Sequence, residues 1–437
     1  MSGLETSSGE RVACTGCPLV CVDVVVCAAT EGVDSTSVSF GQACSRGVAW
    51  LSEAWSASDR EMAVVEGRAC GADEAAEAAA GRLAACRRVL VTGCNDATLE
   101  TVLAAADLAE GVKGAVDFGA ADTRHSIGPI QSRYGRVTAD FEELRDRADC
   151  VVLWCGDLEQ SHPRFVERFV APPTLAGPRR VFVIGDALPP SATPGWTLVD
   201  VPRTQLAEVA ATWRRMLRER LSGKAAFASV SAPRGVTLLE ATLTPLIDAC
   251  EAAQCIGVVT EPSPDDRTGV AAAAVSQLVN GLAHRKPAFE IPLAAQAQGA
   301  GGAAAAAVCT WRFGASGAVA VADRNGGPTA DAEADACRLI SRGEVDGVVV
   351  VGEPTPPVAA ALEGYEGCVV AVGGAMRSSG GAVIWIATKP TSLATQGTVL
   401  RGDGTLVELR EVRPSARPAA QTVLTSILHR LAVKEGR

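Results

Sequence analysis

The sequence is poor in aromatic residues and in positive charge. Phe, Trp and Tyr together make up 4% of the 437 residues, whereas hydrophobic residues as a whole make up 48%. A large core must therefore be built from Val, Leu, Ile and Ala in closely packed layers. The 40 Lys and Arg residues are outnumbered by 50 Asp and Glu, which gives a formal net charge of −10. Because nucleic acids and anionic membrane surfaces are bound through basic patches, this composition argues against both kinds of partner.

Several kinds of segment and motif are also missing. No apolar run reaches the roughly 18 residues that a membrane span requires, and residues 1–17 lack the basic and apolar regions of a secretory signal. We therefore expect a soluble, cytoplasmic protein. The G-x-G-x-x-G fingerprint, the P-loop and the G-x-S-x-G motif are absent. These absences argue against nicotinamide-dependent enzymes, NTPases and α/β-hydrolases.

The order of predicted elements indicates an α/β protein. From about residue 70 onward, short apolar strands alternate with helices, as in βαβ units whose parallel sheet is covered on both faces. The length suits two or three domains of roughly 150 residues. We predict a small Cys-rich domain without helical periodicity over residues 1–60, a first Rossmann-like α/β domain over 61–225 and a second over 226–437. The last boundary follows from the polar segment 222–234.

Individual elements are predicted from hydrophobic periodicity and capping residues. The predicted strands are 88–92, 114–118, 150–154, 181–185, 256–260, 318–322, 347–351, 368–372 and 382–387. The predicted helices are 73–87, a helix capped by Asn95 or Asp96 that runs to Glu110, 141–148, 238–253 and 269–282. The low-complexity stretch 299–307 fits either a loop against a ligand or the start of a helix.

Four of the 15 cysteines form a cluster near the N-terminus. Ten others occur singly in apolar contexts, where Cys behaves as a small buried hydrophobe, and Cys27 suits a strand. The remaining four are Cys14, Cys17, Cys21 and Cys44. Three thiolates within eight residues can cover one face of a metal cluster, and the fourth completes the ligand set of a [4Fe–4S] cluster. Gly47 would let the backbone turn close to the sulfurs.

Two alternatives to the iron–sulfur cluster remain. A structural zinc site more often uses two C-x2-C pairs. Because a second pair is missing here, we favour iron–sulfur over zinc. The other alternative is that the four thiols carry no metal and persist from an ancestral motif.

Five sequence segments stand out when they are taken together and in order. They are CTGCPLVC at 14–21, ACSRG at 43–47, RADCVVLWCGDLEQSHPR at 147–164, CTWRFGASGAVAVADRNG at 309–326, which contains Trp311, and GTVLRGDG at 397–404. In this order they resemble the catalytic B subunit of tungsten- or molybdenum-dependent formylmethanofuran dehydrogenase, within the molybdopterin oxidoreductase superfamily. The resemblance covers nearly the whole chain.

The resemblance implies a molybdopterin-oxidoreductase-like fold with a bis-pterin tungsten or molybdenum site next to the N-terminal cluster. Such a site reduces CO2 to formate, which a partner amidohydrolase condenses on methanofuran. The implied catalytic positions are Ser126, at the metal, and Arg324, which would orient formate by a bidentate pair. The implied cofactor-binding residues are Gly128, Pro129, His162, Arg164, Gly397, Arg401 and Asp403. Without the resemblance, Arg324 equally fits an exposed turn, and the His-Pro-Arg segment fits an ordinary helix start.

The sequence departs from the family at the metal ligand. The family has Cys or selenocysteine followed by His directly before Gly-Pro, whereas this chain has Ser126 and Ile127. A Ser alkoxide ligates molybdenum in some superfamily members, but a neutral Ser is a poor ligand unless the metal deprotonates it. The paired change is better explained by loss of the redox reaction. Asp157, in the family's Asn position, would also be unfavourable beside anionic pterin pyrophosphates.

Two functions follow from these features, and we favour the second. The first is a tungsten- or molybdenum-pterin oxidoreductase with its own [4Fe–4S] cluster, which interconverts CO2 and formate or formylmethanofuran. The second is the B subunit of a bacterial formyltransferase/hydrolase complex, which passes a formyl group from tetrahydromethanopterin to a methanofuran-like carrier and releases it as formate. There the B subunit is a scaffold for the amidohydrolase A subunit and the formyltransferase C and D subunits. A third alternative is a superfamily enzyme that uses Ser126 as ligand for another oxyanion substrate.

Overall fold

The computed structural model of the chain describes residues 9–28, 38–57, 62–118, 135–154, 158–222, 234–261, 269–293, 299–321, 327–330, 332–373 and 382–434. The chain divides into two compact units, each with its own main sheet. The first unit comprises Met1–Asp122 and Ala297–Arg437, and the second comprises Thr123–Gln296. Within the described ranges, no helix is both long and apolar enough to cross a membrane.

Strands and helices alternate through most of the chain. The strands are β1 (Glu10–Cys14), β2 (Cys21–Ala28), β3 (Val38–Gly41), β4 (Ala63–Val65), β5 (Arg68–Cys70), β6 (Val89–Gly93), β7 (Ala115–Val116), β8 (Cys150–Trp154), β9 (Arg180–Gly185), β10 (Thr197–Asp200), β11 (Ile256–Thr260), β12 (Ala288–Pro292), β13 (Val319–Ala320), β14 (Thr329–Ala330), β15 (Gly347–Val351), β16 (Cys368–Gly373), β17 (Ala382–Ala387), β18 (Gly397–Leu400) and β19 (Leu406–Leu409). The α-helices are α1 (Ser45–Ser56), α2 (Ala72–Ala84), α3 (Leu99–Gly111), α4 (Phe141–Arg147), α5 (Leu158–Ser161), α6 (Leu206–Ser222), α7 (Arg234–Ala252), α8 (Val270–Ala283), α9 (Gly301–Phe313), α10 (Ala336–Ser341), α11 (Pro356–Leu362), α12 (Thr391–Ala394) and α13 (Ala420–Lys434).

The first unit is built on a nine-stranded sheet with the order β14-β13-β7-β6-β15-β16-β17-β4-β5. Its five central strands, from β7 to β17, are parallel, and antiparallel strands extend both edges. Every residue of β6 and β15 is buried. Such continuous apolar runs are typical of parallel strands that are covered on both faces.

Helices cover the two faces of this sheet. Because side chains alternate along a strand, Val349 and Val351 pack with α2, α3 and α13, whereas Val348 and Val350 pack with α10 and α11. The helices on the first face contribute many alanines, whose small side chains allow helices and sheet to approach closely. The α/β class with a parallel sheet is therefore confirmed.

A smaller part of the first unit surrounds the N-terminal cysteines. Strands β1, β2 and β3 form an antiparallel sheet, and β18 and β19 form a hairpin. Val20, Val399 and Leu409 share a small core between these elements. Cys27 lies in β2, as predicted for a strand residue.

The second unit contains a five-stranded parallel sheet with the order β10-β9-β8-β11-β12. Helices α6, α7 and α8 cover one face, where the indoles of Trp154 and Trp213 stack with ring centroids 6.3 Å apart. Near α4 and the π-helical turn Val166–Val170, Phe141, Phe165 and Phe169 pack with ring centroids 5.1 to 5.6 Å apart. These few aromatic residues are therefore concentrated in the second unit.

Some local predictions differ from the structure. Residues 1–60 include the helix α1, and only Gly47 and Leu51 of that helix are buried, so its apolar periodicity is weak. The N-cap of α3 is Thr98 instead of Asn95 or Asp96, because the Thr98 hydroxyl accepts the backbone N–H of Thr101. Of the two alternatives for residues 299–307, the structure has the helix start, at Gly301.

The division into units differs from the predicted consecutive domains 61–225 and 226–437. The predicted boundary near residue 225 falls inside the second unit, between α6 and α7. The first unit needs strands from both ends of the chain, because β6 pairs with β15 across more than two hundred residues of sequence. Pairing between distant strands leaves no trace in local composition.

Candidate functional site

The N-terminal cysteines lie around one tight turn of the first unit. Cys14 ends β1 and Cys21 begins β2, and these two residues are paired in the β-ladder. Cys17 lies in the connecting turn, where its carbonyl accepts the backbone N–H of Val20 at 3.2 Å. Val20 has a φ of 42°, a left-handed conformation that costs energy for a β-branched residue. This strained turn brings the three thiols together.

Cys44 approaches the turn from the start of α1. It is the N-cap of that helix, and its Sγ accepts the backbone N–H of Gly47 at 3.3 Å. A Cβ placed on Gly47 would lie 3.4 Å from the Cys14 Sγ and 3.6 Å from the Cys44 Sγ. Both sulfurs therefore lie against the bare Cα of Gly47, as the sequence predicts for this glycine.

Burial keeps two of these thiols protonated. Burial raises the pKa of Cys14 to about 12, although the backbone N–H of Gly16 partly offsets it, and the neighbouring thiols raise it further. Burial likewise raises the pKa of Cys17 to about 12, against the opposing effect of the Leu19 N–H. Thiolates are the ligands that metals take, so metal binding here would have to displace these protons.

The donor set matches that of an iron–sulfur ligand shell. Three thiols of the set receive backbone N–H groups, and hydrogen bonds to sulfur tune such clusters. In the described part of the chain, however, no group of three or more His, Cys, Asp or Glu side chains is arranged to hold a metal ion. The [4Fe–4S] cluster therefore stays a prediction.

A buried polar network anchors the cysteine turn. The hydroxyls of Thr15 and Ser392 lie 2.6 Å apart, and the Thr15 N–H also donates to the Ser392 Oγ. The indole N–H of Trp50 donates to both hydroxyls, at 3.2 and 3.0 Å. The network ties the turn to α1 and α12.

The late GT-x-x-R-x-D segment also reaches this turn. The Gly402 N–H donates to the carbonyl of Pro18 at 2.8 Å. Arg401 forms a bidentate pair with Asp403, at 2.8 and 2.6 Å, and both side chains are buried. Gly397 lies against α3, where an added Cβ would be 2.8 Å from the Glu100 carboxylate. In this structure the motif closes the β18–β19 hairpin over the cysteine turn.

The His-Pro-Arg segment lies in the second unit. His162 is 1% exposed, and its Nδ1 lies 2.8 Å from the Ser161 hydroxyl. Arg164 is also buried and forms an ion pair with Glu167 at 2.9 Å. Their predicted role in pterin binding stays a prediction. Trp311, from the fourth segment of the resemblance, is 73% exposed on α9.

Other predicted site residues lie outside the described residues. These are Ser126, Gly128, Pro129, Arg324 and also Asp157.

The first unit also contains a cavity of about 450 Å³ that the sequence does not predict. It opens at the carboxyl ends of β6, β15 and β16, and its lining includes Trp50, Asp96 and Trp385. The chain leaves β6 toward β7 on one side and later returns to β15 on the other. Ligands of open α/β sheets bind at such a reversal of strand order. In the sequence, the local indication of this cavity is a predicted strand, 347–351, that is followed directly by Gly352 and Glu353.

Asp96 lines this cavity and is half-buried. Its Oδ1 accepts the Glu353 N–H at 3.4 Å, and Gly352 passes so close that an added Cβ would be 2.2 Å from that oxygen. Burial raises the pKa of Asp96, the Glu353 N–H partly offsets this effect, and the carboxylate of Glu53 raises the pKa further. The cavity thus contains a carboxyl group whose charge the protein compensates poorly.

No protein-family model matches the chain, and no curated protein matches it either. A solved structure is similar to it. This structure is the X-ray crystal structure of the formyltransferase/hydrolase complex (FhcABCD) from Methylorubrum extorquens, in complex with methylofuran. A chain of that complex superimposes with a TM-score of 0.68 and 21% identity, over 86% of this chain and 100% of that chain. At this identity the likeness shows a shared fold.

Proposed function

We propose that this chain is the B-type subunit of a formyltransferase/hydrolase complex of one-carbon metabolism. The observation that carries the proposal is the fold likeness over the full length of a chain from such a complex. The five sequence segments described above point to the same group of proteins. In the proposed complex, other subunits transfer a formyl group from tetrahydromethanopterin to a methanofuran-like carrier and release it as formate.

We assign this chain a scaffold role within the complex. Ser126 and Ile127 replace the ligand and the His that the redox family uses. A serine hydroxyl is a poor metal ligand until it is deprotonated, and Ile127 cannot transfer a proton. Its proposed partners are the amidohydrolase A subunit and the formyltransferase C and D subunits.

We further propose that Cys14, Cys17, Cys21 and Cys44 hold a [4Fe–4S] cluster. When bound, such a cluster supplies one-electron transfer and cross-links the segments that ligate it. The chain's own contribution is to orient the sulfurs through backbone N–H groups and to keep water away by burial. The Thr15–Ser392–Trp50 network holds the turn in place.

The redox enzyme is the second candidate, because the cysteine quartet would also supply the electron-transfer cluster that such an enzyme needs. In that case Ser126 would hold tungsten or molybdenum, and Arg324 would orient formate. His162 and Arg164, together with Gly397, Arg401 and Asp403, would then contact the pterins.

Anaerobic purification of the native complex distinguishes the two candidates. The scaffold proposal expects amidohydrolase and formyltransferase subunits to co-purify, with iron but neither tungsten nor molybdenum by mass spectrometry. Stoichiometric tungsten or molybdenum would establish the redox candidate instead. A clean monomer on size exclusion would contradict the scaffold role.

The cluster is tested separately with two cysteine variants. After reconstitution the wild-type chain is expected to bind about four irons, as a [4Fe–4S] cluster requires. Cys17→Ser removes a proposed ligand and should lose most of that iron and its visible absorption. Cys27→Ser, on β2 outside the quartet, is the matched control and should bind iron like the wild type. Equal iron in all three proteins would remove the cluster proposal.

A further inference from the structure

The cavity of the first unit has the features of a small-molecule site, and the proposed function assigns no ligand to it. It lies where the strand order reverses, between the segments that follow β6 and β15. Its volume of about 450 Å³ is within the range of small-molecule sites, roughly 300 to 1,000 Å³. It shares Trp50 and Ser392 with the network behind the cysteine turn, but none of the four cysteines lines it.

The charges in the cavity favour a cation. Within the described ranges, Asp96 has no basic partner, and its only side-chain hydrogen bond to another residue comes from the Glu353 N–H. Glu53 and Glu353 add two further acidic side chains to the lining. The lining also has two basic residues, Arg417 and Lys389, and Lys389 is paired with Glu411 at 3.0 Å, so the three acidic side chains still outnumber the basic ones. A desolvated carboxylate without a basic partner is costly, and a bound cation would offset that cost.

The start of α3 does not make this cavity an anion site. Helix N-termini attract anions through their free N–H groups. Here the Thr98 hydroxyl already accepts the Thr101 N–H, and Asp96 lies two residues before that cap. A phosphate in the cavity would face Asp96 at close range, and that repulsion works against nucleotides.

The aromatic residues of the lining suit a flat ring that carries the cation. Trp385 is 4% exposed, and its indole N–H has no acceptor among the described residues. The Trp50 indole is held by its bonds to Thr15 and Ser392. Indoles attract cations through their faces, so Trp50 and Trp385 suit a cationic ring in the cavity.

We propose that this cavity binds a small aromatic amine in its ammonium form. The ammonium group pairs with the Asp96 carboxylate, and the ring packs against Trp385 and Trp50. The inference rests on the cavity alone and does not depend on the proposed function.

The test is a charge series measured by calorimetry on the full-length protein. Benzylammonium, benzyl alcohol and benzoate have similar shapes and carry a positive, no and a negative charge. We expect benzylammonium to bind at least about tenfold more tightly than benzyl alcohol, with benzoate weakest, because tenfold corresponds to about 1.4 kcal/mol, slightly less than one charged hydrogen bond usually contributes. Equal affinity for all three probes, or no binding of any, would overturn the proposal.

Two variants localise the binding. Asp96→Asn keeps the shape but removes the charge, and it should weaken benzylammonium at least about tenfold while leaving benzyl alcohol unchanged, in line with the loss of a charged hydrogen bond. Asp107→Asn, on the outer side of α3, changes the net charge equally and should leave both affinities unchanged. If Asp96→Asn does not fold, the wild-type charge series still decides. Guanosine monophosphate that binds more tightly than benzylammonium would show an anion site and refute the proposal.

Discussion

Replacing Gly352 by Ala tests the geometry beneath the cavity. Gly352 has a φ of 67°, and a Cβ there would lie 2.2 Å from the Asp96 Oδ1. The left-handed conformation costs a residue with a side chain about 1 to 2 kcal/mol. Displacing Asp96 also breaks its bond to the Glu353 N–H, and a hydrogen bond to a charged group contributes about 1.5 to 3 kcal/mol. We take about 2 to 4 kcal/mol as the expected cost of Gly352→Ala, since the two effects overlap.

Hydrogen exchange of the β6 and β15 amides measures this cost within the first unit. At 1.4 kcal/mol for each tenfold change, exchange should be about 30- to 700-fold faster in the variant. Gly314→Ala is the matched control, because Gly314 has a φ of 77° and an added Cβ meets nothing within 4 Å. That control should show only the cost of the left-handed conformation.

A double-mutant cycle separates the two effects. In an Asp96→Ala background the clash is gone, so Gly352→Ala should cost no more than Gly314→Ala does in the wild type. If Gly352→Ala costs as little as Gly314→Ala in the wild type as well, then Asp96 does not lie against Gly352 and the description of the cavity is wrong.

Three further perturbations test other parts of the first unit. Arg401→Gln leaves the buried Asp403 without its cation and should cost about 3 to 5 kcal/mol in urea unfolding. Thr98→Ala removes the N-cap bond of α3 and should cost about 1 kcal/mol, measured in the same way. In metal-free protein, burial raises the pKa of Cys14 and Cys17 from 9.0 to about 12. The contribution of these neutral thiols to the free energy of unfolding is therefore fully present below about pH 9, and it is lost as the pH rises toward about 12.

Each of these predictions has a control. Arg410→Gln breaks only an exposed pair in the same hairpin and should change stability by less than about 0.5 kcal/mol; a cost equal to that of Arg401→Gln would contradict the buried-pair argument. Thr98→Ser should retain most of the stabilisation by the cap. If Thr98→Ser lost as much stability as Thr98→Ala, the hydroxyl could not be the source of that stabilisation. Replacing Cys14 and Cys17 together by Ser should flatten the alkaline loss of stability, and an unchanged slope would assign that loss to other groups.

Strands were the most predictable part of this protein. The sequence predicts Cys150–Trp154, Ile256–Thr260 and Gly347–Val351 with the bounds that the structure has. Each is a short apolar run buried on both faces, so burial leaves a continuous signal in the sequence. Helix α1 lacked such a signal, because it buries only Gly47 and Leu51.

Of the two candidate sites, the cysteine turn could be predicted from the sequence, whereas the cavity could not. The cysteine spacing is local, so the turn and the position of Gly47 against the sulfurs could be predicted from a few neighbouring residues. Asp96 suggested only a helix cap, and nothing near it in the sequence indicates Gly352 or Trp385. These residues meet because β6, β15 and β17 end at the same edge of one sheet.

The sequence by itself determined the α/β class, the position of nine of the 19 strands that the described residues form and the grouping of four cysteines in the first 44 residues. Tertiary structure alone decided that the two ends of the chain build one unit around the pairing of β6 with β15. It alone brought Asp96, Trp50 and Trp385 to the lining of one cavity. The physical reason is that periodicity and spacing act over a few residues, whereas strand order is set by packing between segments far apart in the chain.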